Sequence, residues 1–179
     1  AEVTDLIIYQ LGALKAFCAA YDVKMQHVKP HGALYNMADK DEELAMAVCR
    51  GIRAVDEELI LLGPGSGKMV WAAKKLGLKT AGEVFADRAY MEDGSLVPRT
   101  QPGAMIEEEG EAIKRVLKMV QTGPVTAITG KEIPVKADSV CVHGDGEKAL
   151  LFVQKIKKAL DEAGIATAPM SRVIGECYE

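Results

Sequence analysis

The run Leu59-Ile60-Leu61-Leu62 constrains the fold more than any other stretch. It is wholly apolar, short, and flanked by helical patterns. A strand without polar alternation is buried on both faces, as in a parallel sheet covered by helices. Upstream, Val3, Leu6, Ile7, Leu11, Leu14 and Cys18 predict an amphipathic helix over residues 3–21. A strand at 25–30 follows. Asp39-Lys40-Asp41-Glu42 reads as a capping box opening a helix to about Val55, with Leu44, Val48, Ile52 and Val55 inward. Downstream, a helix from Lys68 stops at Gly77, and a strand runs from Lys79 to Phe85. A helix over 109–122 ends at Gly123-Pro124. A short strand from Val125 to Thr129, an irregular stretch from Gly130 to Lys136 and a strand ending at His143 come next. The last helix turns Ala149, Phe152, Val153, Ile156 and Leu160 inward and ends at Gly164. Ile165 to Ala168 is a candidate final strand, and Met170 to Glu179 carries little signal. This alternation predicts parallel βαβ units in one α/β domain over residues 1–179. A doubly wound sheet and a β/α barrel both fit.

Two strand ends narrow that choice. In Gln26-His27-Val28-Lys29-Pro30-His31-Gly32, His27, Lys29 and His31 share one parity, and Val28 and Pro30 the other. Equal parity in a strand means a common face, with Val28 expected under a helix. Ser139-Val140-Cys141-Val142-His143-Gly144-Asp145 repeats the design, and Asp145 is placed to cap the helix that follows. An edge strand with solvated side chains is the other reading of the first stretch, because Pro30 suits an edge. Two polar faces that both close on His-Gly favour a barrel, in which C-terminal strand ends pool their side chains. Glu83-Val84-Phe85-Ala86-Asp87-Arg88 ends a third strand, with Glu83, Phe85 and Asp87 on one parity. Its bland reading is a surface Asp–Arg pair, which contributes little. Lys29, His31, Glu83, Asp87, His143 and Asp145 thus all sit at strand ends. Histidine serves there as general acid or base, lysine as a stabiliser of negative charge, and histidine with carboxylate as a metal ligand.

Two connections matter. Ala86 to Ile106 is the longest, with Asp93-Gly94 as a hairpin tip, and its few large apolar residues predict a mobile lid. Gly63-Pro64-Gly65-Ser66-Gly67-Lys68 invites comparison with a phosphate-binding loop. Leu62 stands where that motif needs its first glycine, and Met69 where it needs a hydroxyl, so the motif is rejected and tight ATP binding by the chain alone is not expected. The turn still serves equally as an anion cradle at a helix N-terminus or as a plain strand-to-helix turn.

A formal net charge of -4 without a Lys/Arg cluster argues against a nucleic-acid surface. No apolar run looks long enough to cross a membrane, no signal peptide is evident, and the chain lacks an initiator Met. Cys18, Cys49, Cys141 and Cys177 form no C-x-x-C pair. Cys18 and Cys49 read as small buried hydrophobes, and a reducing cytoplasm is expected.

Five stretches resemble one family. They are Tyr9-Gln10-Leu11-Gly12-Ala13-Leu14; His27 through Asn36; Glu83 through Tyr90; Asp93-Gly94-Ser95-Leu96-Val97-Pro98-Arg99; and Val140 through Asp145. In this order they resemble the LamB/YcsF family over residues 9 to about 165. The resemblance implies a TIM-like β/α barrel related to the glycoside hydrolase/deacetylase type. It implies hydrolysis of 5-oxoproline to glutamate, with ATP as cosubstrate and 5-oxoprolinase subunits B and C as partners. It also implies three further strands ahead of the opening helix, so residues 1–179 are expected to be the C-terminal two-thirds of the family domain, with part of the site elsewhere. An open sheet edge or a homo-oligomer covering it would follow. Within the implied site, His31 or His143 is the base for water, oriented by Asp87 or Asp145. Lys29, Glu83, Arg88 and Arg99 contact substrate, with Lys29 and Arg88 on its carboxylate or a phosphate. No residue is assigned to a metal or to ATP. The alternatives are a metal-dependent, deacetylase-like C–N hydrolase and a non-catalytic, substrate-binding subunit.

Overall fold

The computed structural model describes residues 1–65, 67–144 and 149–175. In chain order the elements begin with α1 (Glu2–Ala20), β1 (His27–Val28), α2 (Ala33–Ala38), α3 (Glu42–Val55), β2 (Ile60–Pro64), α4 (Lys68–Lys75) and β3 (Thr80–Phe85). They continue with α5 (Glu109–Thr122), β4 (Pro124–Thr126), β5 (Glu132–Pro134), β6 (Ser139–Cys141), α6 (Ala149–Glu162) and α7 (Met170–Gly175). The chain divides into two compact units, Ala1–Ala81 with Met170–Glu179, and Gly82–Pro169. β3 runs through the division.

In the first unit β1 pairs parallel with β2, His27 beside Ile60 and Val28 beside Leu61. The Leu61 N–H donates to the Lys79 carbonyl just ahead of β3, at 2.9 Å. Ile60, Leu61 and Leu62 are all buried, which is why the run has no polar alternation. Ile60 and Leu62 pack with Ala81 and with Ile174 and Met170 of α7. The start of the tail that looked uninformative, Met170–Gly175, is therefore a helix with one core side chain. Six residues with a single buried apolar position are too few to show a period.

α1 packs closely against α3 at a glycine. A Cβ at Gly51 would fall 2.7 Å from the Ile7 Cβ, and the Thr4 hydroxyl donates to the Ala47 carbonyl at 3.0 Å. Ile7 and Leu11 are buried, while Leu6, Tyr9 and Phe17 on the opposite side stand exposed. This corrects the expectation about membranes: by length and composition α1 is long and apolar enough to cross one.

Three local expectations change. β1 is shorter than 25–30, because buried Pro30 has no N–H to extend the ladder. α3 is capped by Asp41, whose carboxylate accepts from the Leu44 N–H at 3.0 Å. Asp39 instead closes α2, a helix the strand-to-turn reading missed.

The second unit pairs β3 parallel with β6, in the register Glu83–Ser139, Val84–Val140, Phe85–Cys141. Asp138 fastens the start of that pair: its carboxylate accepts from the Gly82 N–H at 2.7 Å and meets Lys136 at 2.9 Å. β4 and β5 form an antiparallel hairpin where residues 130–136 were expected to be irregular. α5 matches its expected span, and left-handed Gly123 (φ 86°) closes it. Ile165 to Ala168 is not a strand.

The connection after β3 is more tightly built than a loose lid. Ala89, Val97 and Ala104 form a small core with Met91 and Ile106 against it. The Ala89 N–H donates to the Ala104 carbonyl and the Val97 N–H to the Ala89 carbonyl, at 2.9 and 3.0 Å. The Asp93-Gly94 tip forms as expected, with Gly94 at φ 83° and the Met91 N–H bonded to the Ser95 carbonyl. Short alanines and one valine do the anchoring. Counting only large apolar residues therefore underestimated it.

Candidate functional site

β3 and β6 end side by side, so the side chains just past Phe85 and Cys141 emerge together. This brings together two of the expected residues. The His143 Nδ1 lies 2.7 Å from the Asp87 Oδ2, with both side chains mostly covered. A carboxylate on Nδ1 fixes the tautomer with Nδ1–H donating, which leaves Nε2 as the ring's basic nitrogen. Phe85 stacks on the imidazole, with ring centroids 6.0 Å apart and planes at 25°. The pair is thus held by one hydrogen bond and one apolar face. The other carboxylate oxygen, Asp87 Oδ1, is buried with no hydrogen-bond partner among the described residues.

Around this pair, Glu83 is buried on β3. Arg88 is 6% exposed, and its Nη2 donates to the Val97 carbonyl at 2.6 Å. Burial, and then the like charge of Arg99, lower the Arg88 pKa. Its guanidinium therefore clips the connection from inside, while Arg99 on the same connection is exposed. Arg115 from α5 adds a second clip, donating to the Arg88 carbonyl at 3.2 Å and the Thr126 carbonyl at 3.5 Å. Asp145 lies outside the described residues.

In the first unit, His31 follows β1 and is exposed. Its Nδ1 accepts from the Gly32 N–H at 2.8 Å. In the neutral ring the proton must then sit on Nε2, which makes His31 a donor rather than a proton acceptor. Lys29 is half-buried, and its ammonium lies 5.5 Å from the centroid of the buried Tyr35 ring.

Among the described residues of the glycine-rich turn, the amides of Gly67 and Lys68 are already engaged. The Gly67 N–H donates to the Pro64 carbonyl and the Lys68 N–H to the Asp39 carbonyl, both at 3.2 Å. The Asp39 carboxylate lies where a Gly67 side chain would be, with Oδ1 1.5 Å from an ideal Cβ. A carboxylate therefore already occupies the positive end of α4. The Lys68 ammonium is spent on Glu42 at 2.7 Å. Among the described residues no three His, Cys, Asp or Glu side chains gather as a metal site requires. Sequence reasoning missed Tyr90, whose hydroxyl accepts from the Phe85 N–H at 2.8 Å, and Arg115. Tyr90 closes the family-like stretch Glu83 through Tyr90 but was given no role, and Arg115 stands in no recognisable pattern.

The LamB/YcsF family model matches residues 1–175. The A subunit of 5-oxoprolinase from Clostridium beijerinckii is 59% identical over 172 residues, covering 96% of this chain and 68% of that protein. The protein of the same name from Bacillus subtilis is 50% identical, covering 95% of this chain and 66% of that one. Among solved structures, the lactam utilization protein from Thermus thermophilus superposes with a TM-score of 0.85 at 39% identity, covering 93% of this chain and 66% of that chain. The chain thus spans about two-thirds of the length of these relatives. A family match along nearly all of its length, relatives at this identity and a closely superposing lactam utilization protein agree: the chain belongs to the LamB/YcsF family.

Proposed function

We propose that this chain is a hydrolytic subunit for a cyclic amide, opening 5-oxoproline to glutamate in an ATP-coupled system. The observation that carries the reading is the His143–Asp87 pair at the adjoining ends of β3 and β6, in a chain half or more identical to A subunits of 5-oxoprolinase. A lactam is a poor electrophile because its nitrogen donates into the carbonyl. Phosphorylation of the carbonyl oxygen by ATP removes that protection, and we assign this step to partner subunits B and C. The chain would then direct water to the ring carbon.

In this mechanism His143 Nε2 takes the proton of the attacking water. Asp87 holds the ring in the tautomer that allows this and stabilises the imidazolium that forms. The water oxygen bonds to the ring carbon, the carbon–nitrogen bond breaks, and the nitrogen leaves as the amine after receiving the proton from His143. The phosphoryl group is lost by hydrolysis. His31, with its Nδ1 engaged by the backbone, serves as donor rather than base. Lys29, Glu83, Arg88 and Arg99 remain proposed substrate contacts. Of the two arginines the exposed Arg99 is the better placed to meet an anion. We also infer that the family domain is a β/α barrel of the glycoside hydrolase/deacetylase type, supported by functional side chains at the C-terminal ends of parallel strands.

The test is glutamate release from 5-oxoproline by the full-length protein that carries these residues, with ATP and subunits B and C, against its His143→Gln and His31→Gln variants. The reading expects His143→Gln to lose roughly 10²–10⁴ in rate, the usual contribution of a general base. Equal rates for the protein and His143→Gln would overturn it.

A further inference from the structure

Phe85 is the last residue of β3, and the strand-pairing pattern breaks there. The next amide, Ala86, still donates to the Cys141 carbonyl of β6 at 3.2 Å. The Phe85 N–H points to the other side and donates to the hydroxyl of Tyr90 at 2.8 Å. Residues 85–90 therefore form a loop closed by a side chain. Asp87 sits inside this loop, and Phe85 at its start stacks on His143. Both groups that hold the imidazole thus hang from a segment whose ends are joined by one phenol.

Tyr90 is itself fixed. It is 4% exposed, its carbonyl accepts from the Ile128 N–H at 2.8 Å, and it bridges Leu96 across the hairpin. Burial pushes the hydroxyl up to about 12, so it remains a neutral phenol at working pH. The titratable groups acting on it are Arg115 from α5, Glu83 from β3 and Cys141 from β6.

We propose that Tyr90 is a positioning residue: its hydroxyl closes the 85–90 loop and so sets the aim of Asp87 and Phe85 on His143. A tyrosine that only filled the core would need its ring but not its oxygen. Here the oxygen terminates the strand in place of a neighbouring carbonyl, and the ring could be phenylalanine without loss of volume. The proposal rests on the reading of His143 as base only in its kinetic consequence; the geometry of the pair stands without it.

Tyr90→Phe tests this, because it removes one oxygen and keeps the packing. Two readouts separate the possibilities. The first is the ¹⁵N spectrum of the His143 imidazole, with Asp87→Asn supplying the spectrum of a ring that has lost its carboxylate. In Tyr90→Phe the Nδ1–H signal is expected to broaden or shift toward the Asp87→Asn position. The second is turnover with ATP and subunits B and C, where kcat should fall roughly 10- to 100-fold with KM within about twofold, the cost of misplacing a reacting group by a fraction of an ångström or more. In the unaltered protein the Phe85 amide should exchange slowly with solvent, a measurement that needs no variant. Unchanged His143 signals in Tyr90→Phe, or a fast-exchanging Phe85 amide, would overturn the proposal, even if the variant melts at a lower temperature. A changed spectrum without any lactam turnover by the unaltered full-length protein would support the positioning role and count against the proposed function.

Discussion

The orientation of one imidazole decides what this site can do. The Asp87 carboxylate on His143 Nδ1 leaves Nε2 as the ring's unprotonated nitrogen, the base of the proposed mechanism, and the Gly32 amide on His31 Nδ1 gives that ring the opposite polarity. Asp87→Asn should therefore do more than remove a charge. An amide NH₂ in place of Oδ2 would donate to Nδ1 and drive the proton to Nε2, as in other His–carboxylate sites. We expect kcat to drop by about 10²–10⁴ with KM nearly unchanged, measured as glutamate release; a kcat within twofold of the unaltered protein would refute the role. A second residue-scale expectation concerns Cys49. Burial pushes its thiol up to about 12, so almost no thiolate exists at pH 8. Iodoacetamide should leave Cys49 unmodified in the folded protein and alkylate it in urea, as read by mass spectrometry. Rapid alkylation of Cys49 in the native state would show that its surroundings open.

At the scale of elements, close approach and capping hold the helices in place. α3 meets α1 at Gly51, where a Cβ would lie 2.7 Å from the Ile7 Cβ and 2.9 Å from the Thr4 carbonyl oxygen. Gly51→Ala gains helix propensity but must push α1 away, and we expect a net loss of about 1–3 kcal/mol. A denaturant midpoint that does not fall would mean that the two helices slide apart freely. Asp41→Ala removes the carboxylate that accepts the Leu44 amide, and should cost about 1 kcal/mol. Asp39→Ala separates the two candidate caps, since the capping-box pattern pointed to Asp39 and the backbone selects Asp41. Both aspartates stand ahead of an acidic first turn, and the three-residue spacing to Glu42 favoured Asp39, the one that does not cap α3. Only the end of α2, which Asp39 closes, decides which of them caps α3.

At the scale of the molecule, acid stability follows from carboxylates held in their charged form. The Glu58 amide and then Lys15 lower the Asp56 pKa, and the Thr129 hydroxyl and Lys131 lower that of Glu92. The Gly110 and Glu111 amides do the same for Glu108, and Lys118 and Thr126 for Glu132. Each folded value lies below the unfolded one. The contribution is therefore complete above the ordinary carboxylate range and is lost as pH falls through the depressed values. Urea midpoints should be flat from pH 7 to about 5 and decline below about 4.5; a midpoint that rises on acidification would contradict this sign. Glu92, Glu108 and Glu132 are exposed and Asp56 is half-buried, hence the effect should be modest and smaller in high salt for the lysine-paired members. At the same scale, the sequence by itself determined the α/β alternation, the buried strand Ile60–Leu62, the helix over 109–122, the hairpin tip at Asp93-Gly94 and the strand ends that carry His31, Asp87 and His143. Those features are written in local periodicity and turn chemistry, which act over a few residues. Tertiary structure alone decided that Asp87 meets His143 across 56 positions of chain, that Tyr90 closes the loop beneath them, and that Asp39 fills the turn at Gly67. It also decided that α7 belongs to the first unit's core. Such contacts depend on which distant backbone each side chain reaches. No window of sequence contains that information, because packing and hydrogen-bond satisfaction are settled only when the whole chain has closed around them.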